Sequence, residues 1–596
     1  MKSLLLVLFS IFTCQVLLAQ PGTLDNSFGQ GGVVLTSMTD GYPECFTSIV
    51  QPDGKIIASG RFTETEVSNG FFDGFLLERY LSSGIIDTSF GDSGRIVTDF
   101  NHTYENAYHL ALQPDGKILA AGYGYVNQSN PNYNALIARY LPDGSLDAGF
   151  GNGGKVVLDF GIGNDNVSNI LILPNDKIMV CGYVTFHVVT LARYNSNGTL
   201  DESFGNNGTI TTDLGQWPIL NDAVLQADEK IVVAGSIGDG GAKKFLLMRY
   251  KQDGTLDESF GEGGKTITDF DVYSEEINAL QIKADGKIIV AGYTGSNTIN
   301  TSGAIARYES QGVLDNSFGL NGKVTTAVID RDLNFTDIII DGHNNIVVSS
   351  RYDDVLNPIS DFAILRYKST GLLDSTFSAD GIAVTDLGFF ENAWSVNLNI
   401  DGDYILAGQS IGDEYQIALT QYKGGEVEKE QYVRIKKWLH RHGFTWEDKP
   451  GNDIRYYSVQ RSNNGNFFKE LARVFRGTNS QLSFEDANSE NGTSYYRVAS
   501  VLMDNSVNYS NVLSLDYNRI SIRVYPNPAK NFLQIEGLSS TESSRLSIYD
   551  INGNVRLTAT ASAPVFSWNI GTLQKGSYVV TAQSNGVVVK KKFLKE

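Results

Sequence analysis

The sequence predicts an all-β protein, a seven-bladed β-propeller followed by two small β-sandwich domains, on three observations. A short phrase opening on Leu-Asp or Ile-Asp recurs seven times at intervals of 54 to 62 residues. Each interval holds four short β-rich runs without helical periodicity, which is the sequence shape of a propeller blade. Beyond residue 423 the phrase stops, and alternating apolar and polar runs continue between Asn/Gly-rich turns.

The first phrase is Leu24-Asp25-Asn26-Ser27-Phe28-Gly29, and its acidic position recurs as Asp87, Asp147, Asp201, Asp257, Asp315 and Asp374. After each phrase comes a β-rich run such as Lys155 to Phe160. An apolar segment follows, ending in a turn such as Pro114-Asp115-Gly116, and then a run such as Ile118 to Gly122. Pro presets φ and Gly accepts positive φ, so the triplet reads as a hairpin turn. The last run of each repeat ends in Arg-Tyr, at Arg79, Arg139, Arg193, Arg249, Arg307 and Arg366, with Gln421-Tyr422 in the seventh. An open solenoid needs polar capping units, and neither the first nor the last repeat reads as one, whereas a closed ring covers both faces of every blade. The ring is the reading preferred.

In six repeats the Arg precedes the next phrase's Asp by eight residues, although whole repeats vary in length. A constant offset predicts a strand–turn–return that brings guanidinium to carboxylate in a paired hydrogen bond. The plainer alternative is two polar surface positions. In a closed ring the last repeat meets the first, which places Gln421 beside Asp25. The copies also differ. The sixth departs at Asp341-Gly342-His343-Asn344-Asn345, the seventh has Ser378 for Gly, and residues 64–70, 125–133 and 352–359 are insertions.

Composition bounds the function. With 47 Lys and Arg against 67 Asp and Glu, the net charge is −20. Such a chain is a poor partner for nucleic acid or anionic lipid, both of which need a cationic face. Residues 1–19 carry one Lys and a short, interrupted apolar run, the pattern of a secretory signal peptide cleaved between Ala19 and Gln20. The run is too short for a membrane span, and Cys14 lacks the small neighbours of a lipidation site. Cys45 and Cys181 lie in strand-like runs of different repeats and read as buried small side chains rather than a disulfide.

The repeated phrases resemble the delta-60 repeats of bacterial surface proteins, a β-propeller family of unknown function; the resemblance spans roughly residues 22–423. A charged stretch over residues 424–437 reads as a linker. Phe444-Thr445-Trp446, Tyr456 to Arg461, Leu482 to Phe484 and Tyr495 to Val498 then read as a β-sandwich over residues 438–517, with Tyr495 or Tyr496 as a tyrosine corner. Trp446 and Arg461-Ser462 give this region its resemblance to the fibronectin-type-III-like modules of Bacteroidota surface proteins.

The final segment, residues 518–596, carries Tyr525-Pro526-Asn527-Pro528, the turn Tyr549-Asp550-Ile551-Asn552-Gly553, the strand opening Gly576-Ser577-Tyr578, and a basic last strand with Lys590, Lys591 and Lys592. These phrases resemble the type A C-terminal sorting domain of the type IX secretion system. The resemblance implies a Gram-negative Bacteroidota cell, periplasmic passage, delivery to the surface or medium by that machinery, and removal of the domain on arrival.

No catalytic constellation stands out. His102, His109, His187, His343, His440 and His442 sit in no complete metal motif, and cationic neighbours crowd His440 and His442. No nucleophile elbow or phosphate loop appears. Asp143 with Asp147, or Asp401 with Asp403, offers calcium oxygen ligands, but the acidic calcium loop is absent and turn capping explains them. No cofactor is expected beyond that calcium possibility. The reading is a non-catalytic binding or scaffold protein for an extracellular glycan or protein; the alternative is a propeller enzyme acting on polysaccharides.

Overall fold

The computed structural model describes residues 20–596 except 65–71, 102, 128–129, 161–162, 174–175, 185–187, 240–241, 296–300, 356–358, 426–435, 438–442, 448–453, 463–467, 475–480, 487–491, 503–506, 511, 518–521, 539–542 and 585–586. The reading of residues 1–19 as a signal peptide, and those of His102, His187, His440 and His442, fall outside the described residues. The chain divides into two compact units, Met1–Tyr432 and Val433–Glu596.

The first unit is a ring of seven four-stranded antiparallel sheets. The first blade runs outward from the axis through Gly41–Val50, Ile56–Glu64, Phe72–Tyr80 and Arg95–Thr98. Blades two to six repeat this order over 103–158, 165–213, 217–268, 274–326 and 331–385. The seventh takes Phe390–Leu398, Tyr404–Ile411 and Tyr415–Tyr422 from the end of the ring, and its outer strand, Val33–Ser37, from the beginning. The sequence repeat is therefore offset by one strand from the structural blade: each phrase lies in the connection from third to outer strand. The offset closes the ring, because the first phrase has no third strand of its own to follow. Inner strands of successive blades pack around the axis, the seventh against the first.

Each inner strand carries a β-bulge, as between Cys45 and Thr47 or Ala107 and His109. Opposite it on the second strand stands Gly60, Gly122, Gly182, Gly235, Gly292 or Gly408, with Ser350 in the sixth blade. A Cβ at Gly122 would lie 1.7 Å from the Asn106 carbonyl, so the bulge excludes a side chain there.

Blades are joined by apolar packing and by recurring hydrogen bonds, one of them between a buried Tyr and a Thr. The Tyr that ends each third strand is buried, and in six of the seven blades it meets a Thr on the preceding blade's outer strand. The pairs are Tyr80–Thr36, Tyr140–Thr98, Tyr250–Thr212, Tyr308–Thr268, Tyr367–Thr326 and Tyr422–Thr385, at 2.6–3.0 Å. In the second blade Leu158 stands where the others have Thr, and the Tyr194 hydroxyl is buried without a hydrogen-bond partner. Cys45 and Cys181 are buried free thiols.

The second unit holds four sheets. Lys436–Lys437, Gly443–Glu447 and Gln481–Glu485 form one; the first of these strands lies within the segment read as linker. Lys469–Val474, Ile454–Ser462 and Gly492–Leu502 form another, with Val507–Tyr509 and Leu513–Tyr517 also on the last. Trp446, Tyr457 and Tyr496 fill their core. Arg523–Tyr525, Phe532–Glu536 and Val565–Asn569 pair in a third sheet. Val555–Ala561, Ser544–Tyr549, Gly576–Ser584 and Val587–Lys595 form the fourth. Among the described residues no helix is long and apolar enough to cross a membrane.

Candidate functional site

Antiparallel blades give the ring two faces. The turns from inner to second strand and from third to outer strand share one face, where the phrases sit. The second-to-third hairpins and the connections to the next blade share the other, the corner face. Seven copies in one chain form an internal comparison: what repeats builds the scaffold, and what breaks the repeat is free to act.

On the phrase face Arg79, Arg139, Arg193, Arg249, Arg307 and Arg366 each donate from Nε to the Asp eight residues on, at 2.6–2.9 Å. Each guanidinium also lies over the buried Phe of the same phrase, 4.3–4.7 Å from the ring centroid. A terminal nitrogen then reaches a carbonyl of the next blade, as from Arg79 to Pro142 at 2.6 Å and from Arg249 to Ser310 at 2.6 Å. In five blades a Lys from the inner turn, such as Lys55 or Lys230, meets the same carboxylate. Burial opposes ionisation of Asp257, but hydrogen bonds from Ser259 and Lys230 and the Arg249 charge outweigh it and hold the acid well below the usual carboxylate range.

The seam differs. Gln421 Nε2 donates to Asp25 at 2.9 Å, and the cation is Lys423, 2.5 Å from Asp25 and 3.1 Å from Asp403. Asp403 occupies the position that is Lys in five other blades. Ser378, replacing the phrase's last Gly, keeps the left-handed backbone at φ 47°, beside 51–53° for the six glycines. Its N–H donates to Pro21 O at 2.9 Å.

Asp143 accepts from the Ser145 N–H and hydroxyl, Asp147 from the Gly149 N–H and Arg139, and Asp403 from the Gly424 N–H. Asp143 and Asp147 thus cap the turns in which they lie, whereas Asp403 holds the end of the seventh blade's third strand. His109 is held neutral by burial, pushed down to about 4. Asp341 accepts the backbone N–H of His343.

The corner face breaks the repeat. Next to the bulge-facing position of each second strand stand Arg61, Tyr123, Tyr183, Ser236, Tyr293, Arg351 and Gln409, seven equivalent places holding four residue types. Around the first two blades the aromatics form a chain. Phe46 stacks on Tyr108 at 4.6 Å and Tyr108 on Tyr123 at 5.1 Å, while Tyr133 meets Tyr123 and Tyr125 at 4.8 and 4.1 Å. Tyr125 and Tyr133 bracket the second insertion; their hydroxyls are 2.7 Å apart. Two carboxylates beside these side chains are matched to cations. Glu44 pairs with Arg61 at 2.6 Å, and Glu276 accepts from Lys243, Asn221 and Tyr293 at 2.7, 2.9 and 3.3 Å. Six aromatic side chains stand exposed in the described propeller, Tyr42, Tyr104, Trp217, Tyr273, Phe389 and Phe390, and all six lie at corners entering inner strands. Exposed apolar residues in the phrase-face turns, such as Ile85, Val313 and Leu372, are aliphatic. Sequence reading singled out the insertions but missed these corners, whose signal was the aromatic residue at the start of an inner strand.

Among the described residues one group of acids is close enough to hold a metal ion: Asp361, Asp386 and Glu391, where the sixth blade meets the seventh.

In the second unit, Tyr496 donates to the Asp486 carboxylate at 2.8 Å, which Arg461 also binds at 2.8 Å. In the last segment Asp550 accepts the N–H groups of Asn552 and Asn554, both at 2.9 Å, and Gly553 turns at φ 82°. Tyr578 donates to Gln574 O at 2.9 Å, and Asn527 accepts the Leu594 N–H at 2.9 Å. The peptide bonds preceding Pro526 and Pro528 are cis. Tyr525 donates to Glu536, and Gly576 opens its strand.

Six segments, 51–90, 113–150, 173–204, 226–260, 283–318 and 344–377, match the family described as a domain of unknown function (DUF5122) beta-propeller. Residues 523–596 match the secretion system C-terminal sorting domain of the type IX pathway, which places the protein at the cell surface or in the extracellular space. No curated protein matches the sequence. Similar solved structures include PorZ, an essential bacterial surface component of the type-IX secretion system of Porphyromonas gingivalis (11% identity, 96% of this chain and 86% of that one, TM-score 0.26). They also include the propeller domain of the Trilobed protease from Pyrococcus furiosus (12%, 65% and 95%, 0.34) and the NanB sialidase from Streptococcus pneumoniae (9%, 61% and 71%, 0.36). These distant likenesses transfer no activity to this chain.

Proposed function

We propose that this exported chain, built of DUF5122 propeller repeats and a type IX sorting domain, is a non-catalytic binding protein that holds a glycan or protein partner on the corner face of its propeller. The observation that carries the reading is the gathering of the six exposed aromatics of the described propeller at the corners, while the opposite face repeats its ion pairs and buried Phe. Exposed Tyr and Trp offer apolar ring faces with polar edges, the surface that sugar rings and protein hot spots both use. Glycan is the first choice, because the tyrosine chain of the first two blades sets hydroxyls beside ring faces. Pairing of Glu44 with Arg61 and of Glu276 with Lys243 supports binding over acid–base catalysis, since neither carboxylate stands apart from a cation.

Residues 1–19 act in this reading as a signal peptide cut after Ala19, in a Bacteroidota cell. The sheet pairing of residues 436–517 supports a fibronectin-III-like module between propeller and sorting domain. Glycan-array binding of the secreted chain, compared with Tyr104→Ala and Trp217→Ala, tests the proposal. Expected is a specific glycan class whose signal falls in at least one variant. Unchanged binding in both variants, or turnover of any glycan on the panel, refutes it.

A further inference from the structure

We propose that the junction of the sixth and seventh blades binds one calcium ion through Asp361, Asp386 and Glu391. The argument is an internal comparison. Strand register makes Asp361 the counterpart of Lys244, since Phe362 faces Thr385 as Phe245 faces Thr268. Asp386 likewise corresponds to Asp269, and Glu391, two residues before its bulge, to Glu275. At the fourth blade the Lys244 ammonium sits on Asp269, so the chain supplies its own cation. Lys323, from the next outer strand, also caps the Asp269 carbonyl, and its counterpart at the seam is Val33. The seam junction therefore keeps both acids, gains a third, and loses both lysines.

The oxygens are disposed for a cation. One from each side chain lies within 4.8 Å of the others, close enough for all three to reach one shared calcium ion at about 2.4 Å. Glu391 is fully buried, and while Oε1 accepts the Phe389 N–H at 2.7 Å, Oε2 has no hydrogen-bond partner. Asp386 is exposed and gives one oxygen to the Gly388 N–H at 2.7 Å, leaving the open side to water. Arg331 approaches Asp361 only to 4.0 Å and is held at 3.3 Å by Asp354. The ligand set is all oxygen, the chemistry of a hard cation, and a surface or extracellular setting suits modest affinity of about 0.1–1 mM.

Calorimetric titration of the full secreted chain with calcium chloride, after chelator treatment, tests this. Wild type should bind calcium in that range. Asp361→Lys, which copies the fourth blade, should lose one equivalent, as should the milder Asp361→Asn. At a ten-fold excess over Kd the wild-type unfolding midpoint should rise by about 1–2 °C, and that of Asp361→Lys should not. No calcium binding up to about 10 mM, or full stoichiometry retained in both variants, overturns the site. Magnesium binding as tightly as calcium overturns the choice of ion.

Discussion

Replacing Arg249 by Met removes a cation that the fold has enclosed. The Arg249 side chain is 1% exposed and bonds Asp257 at 2.8 Å, the Ser310 carbonyl at 2.6 Å and Gln311 at 2.8 Å. Met restores most of the volume over Phe260 but leaves Asp257, itself 5% exposed, with Lys230 at 3.2 Å as its remaining ion partner. Breaking a buried pair from one side typically costs about 3–5 kcal/mol, because the other charge stays buried. Lys230 compensates part of this, so a loss of about 3 kcal/mol is expected. A ring of about 400 residues has an unfolding entropy near 0.8 kcal/mol/K, which converts that loss to a midpoint drop of roughly 4 °C. Urea and thermal unfolding of the full chain, in a double-mutant cycle with Asp257→Ala, give the coupling directly; above about 1.5 kcal/mol is expected. If Arg249→Met costs less than about 0.5 kcal/mol, the usual scatter of surface changes, the repeated pairs are ornament and the reasoning fails.

Tyr308→Phe should cost about 1 kcal/mol by orphaning Thr268, whereas Tyr194→Phe should be neutral or stabilising, since its hydroxyl has no partner to lose; equal costs in chemical denaturation would contradict this. Ser378→Gly should stabilise by about 0.5–1 kcal/mol by relieving left-handed backbone, and a lowered midpoint would count against it. Burial raises Asp222 and Asp337 to about 7, offset only in part by backbone N–H groups. Their folded pKa lies above the unfolded value, so their contribution is intact below about pH 4 and declines as pH rises toward about 7. In chelator-containing buffer the unfolding midpoint should therefore fall from pH 5 to pH 8, and a rise over that window would refute the assignment. Deleting residues 20–37 removes the seventh blade's outer strand and should yield an aggregating chain; a soluble, cooperatively unfolding product would argue against closure by that strand.

Blade number and strand content were legible because each blade repeats one solution, and seven copies of a phrase average out local ambiguity. The constant eight-residue offset similarly pointed to Arg249 and Asp257, since turn geometry fixes it. The strand offset was not legible: a periodic string has no natural origin, and only the pairing of Val33–Ser37 with Tyr415–Tyr422 shows where a blade begins. The exchange at the seam was hidden for a related reason. Lys423 takes over from Arg and Lys positions elsewhere in the repeat, so alignment shows two substitutions while space shows one cation moved. The corner aromatics were invisible because Tyr and Trp at the head of a strand read as ordinary strand formers until exposure is known.

The two faces also divide the energetic work. On the phrase face, Arg, Asp, Phe and usually Lys lock each blade to its own turn and to the next blade's carbonyl, so scaffold stability depends little on the opposite rim. That independence lets the corners carry Tyr42, Trp217 or Phe390 without loss of the fold, and lets neighbouring junctions hold a neutral side chain, a Lys or a third carboxylate at one position. The arrangement has a consequence that can be measured. Substitutions at corner aromatics should change binding with little change in stability, since exposed positions usually shift it by less than about 0.5 kcal/mol. Substitutions at phrase-face Arg or Asp should do the reverse. A corner variant such as Trp217→Ala that unfolds the ring, or an Arg249 variant that alters ligand selectivity at unchanged stability, would show that the faces are coupled and that the repeat does not insulate function from fold.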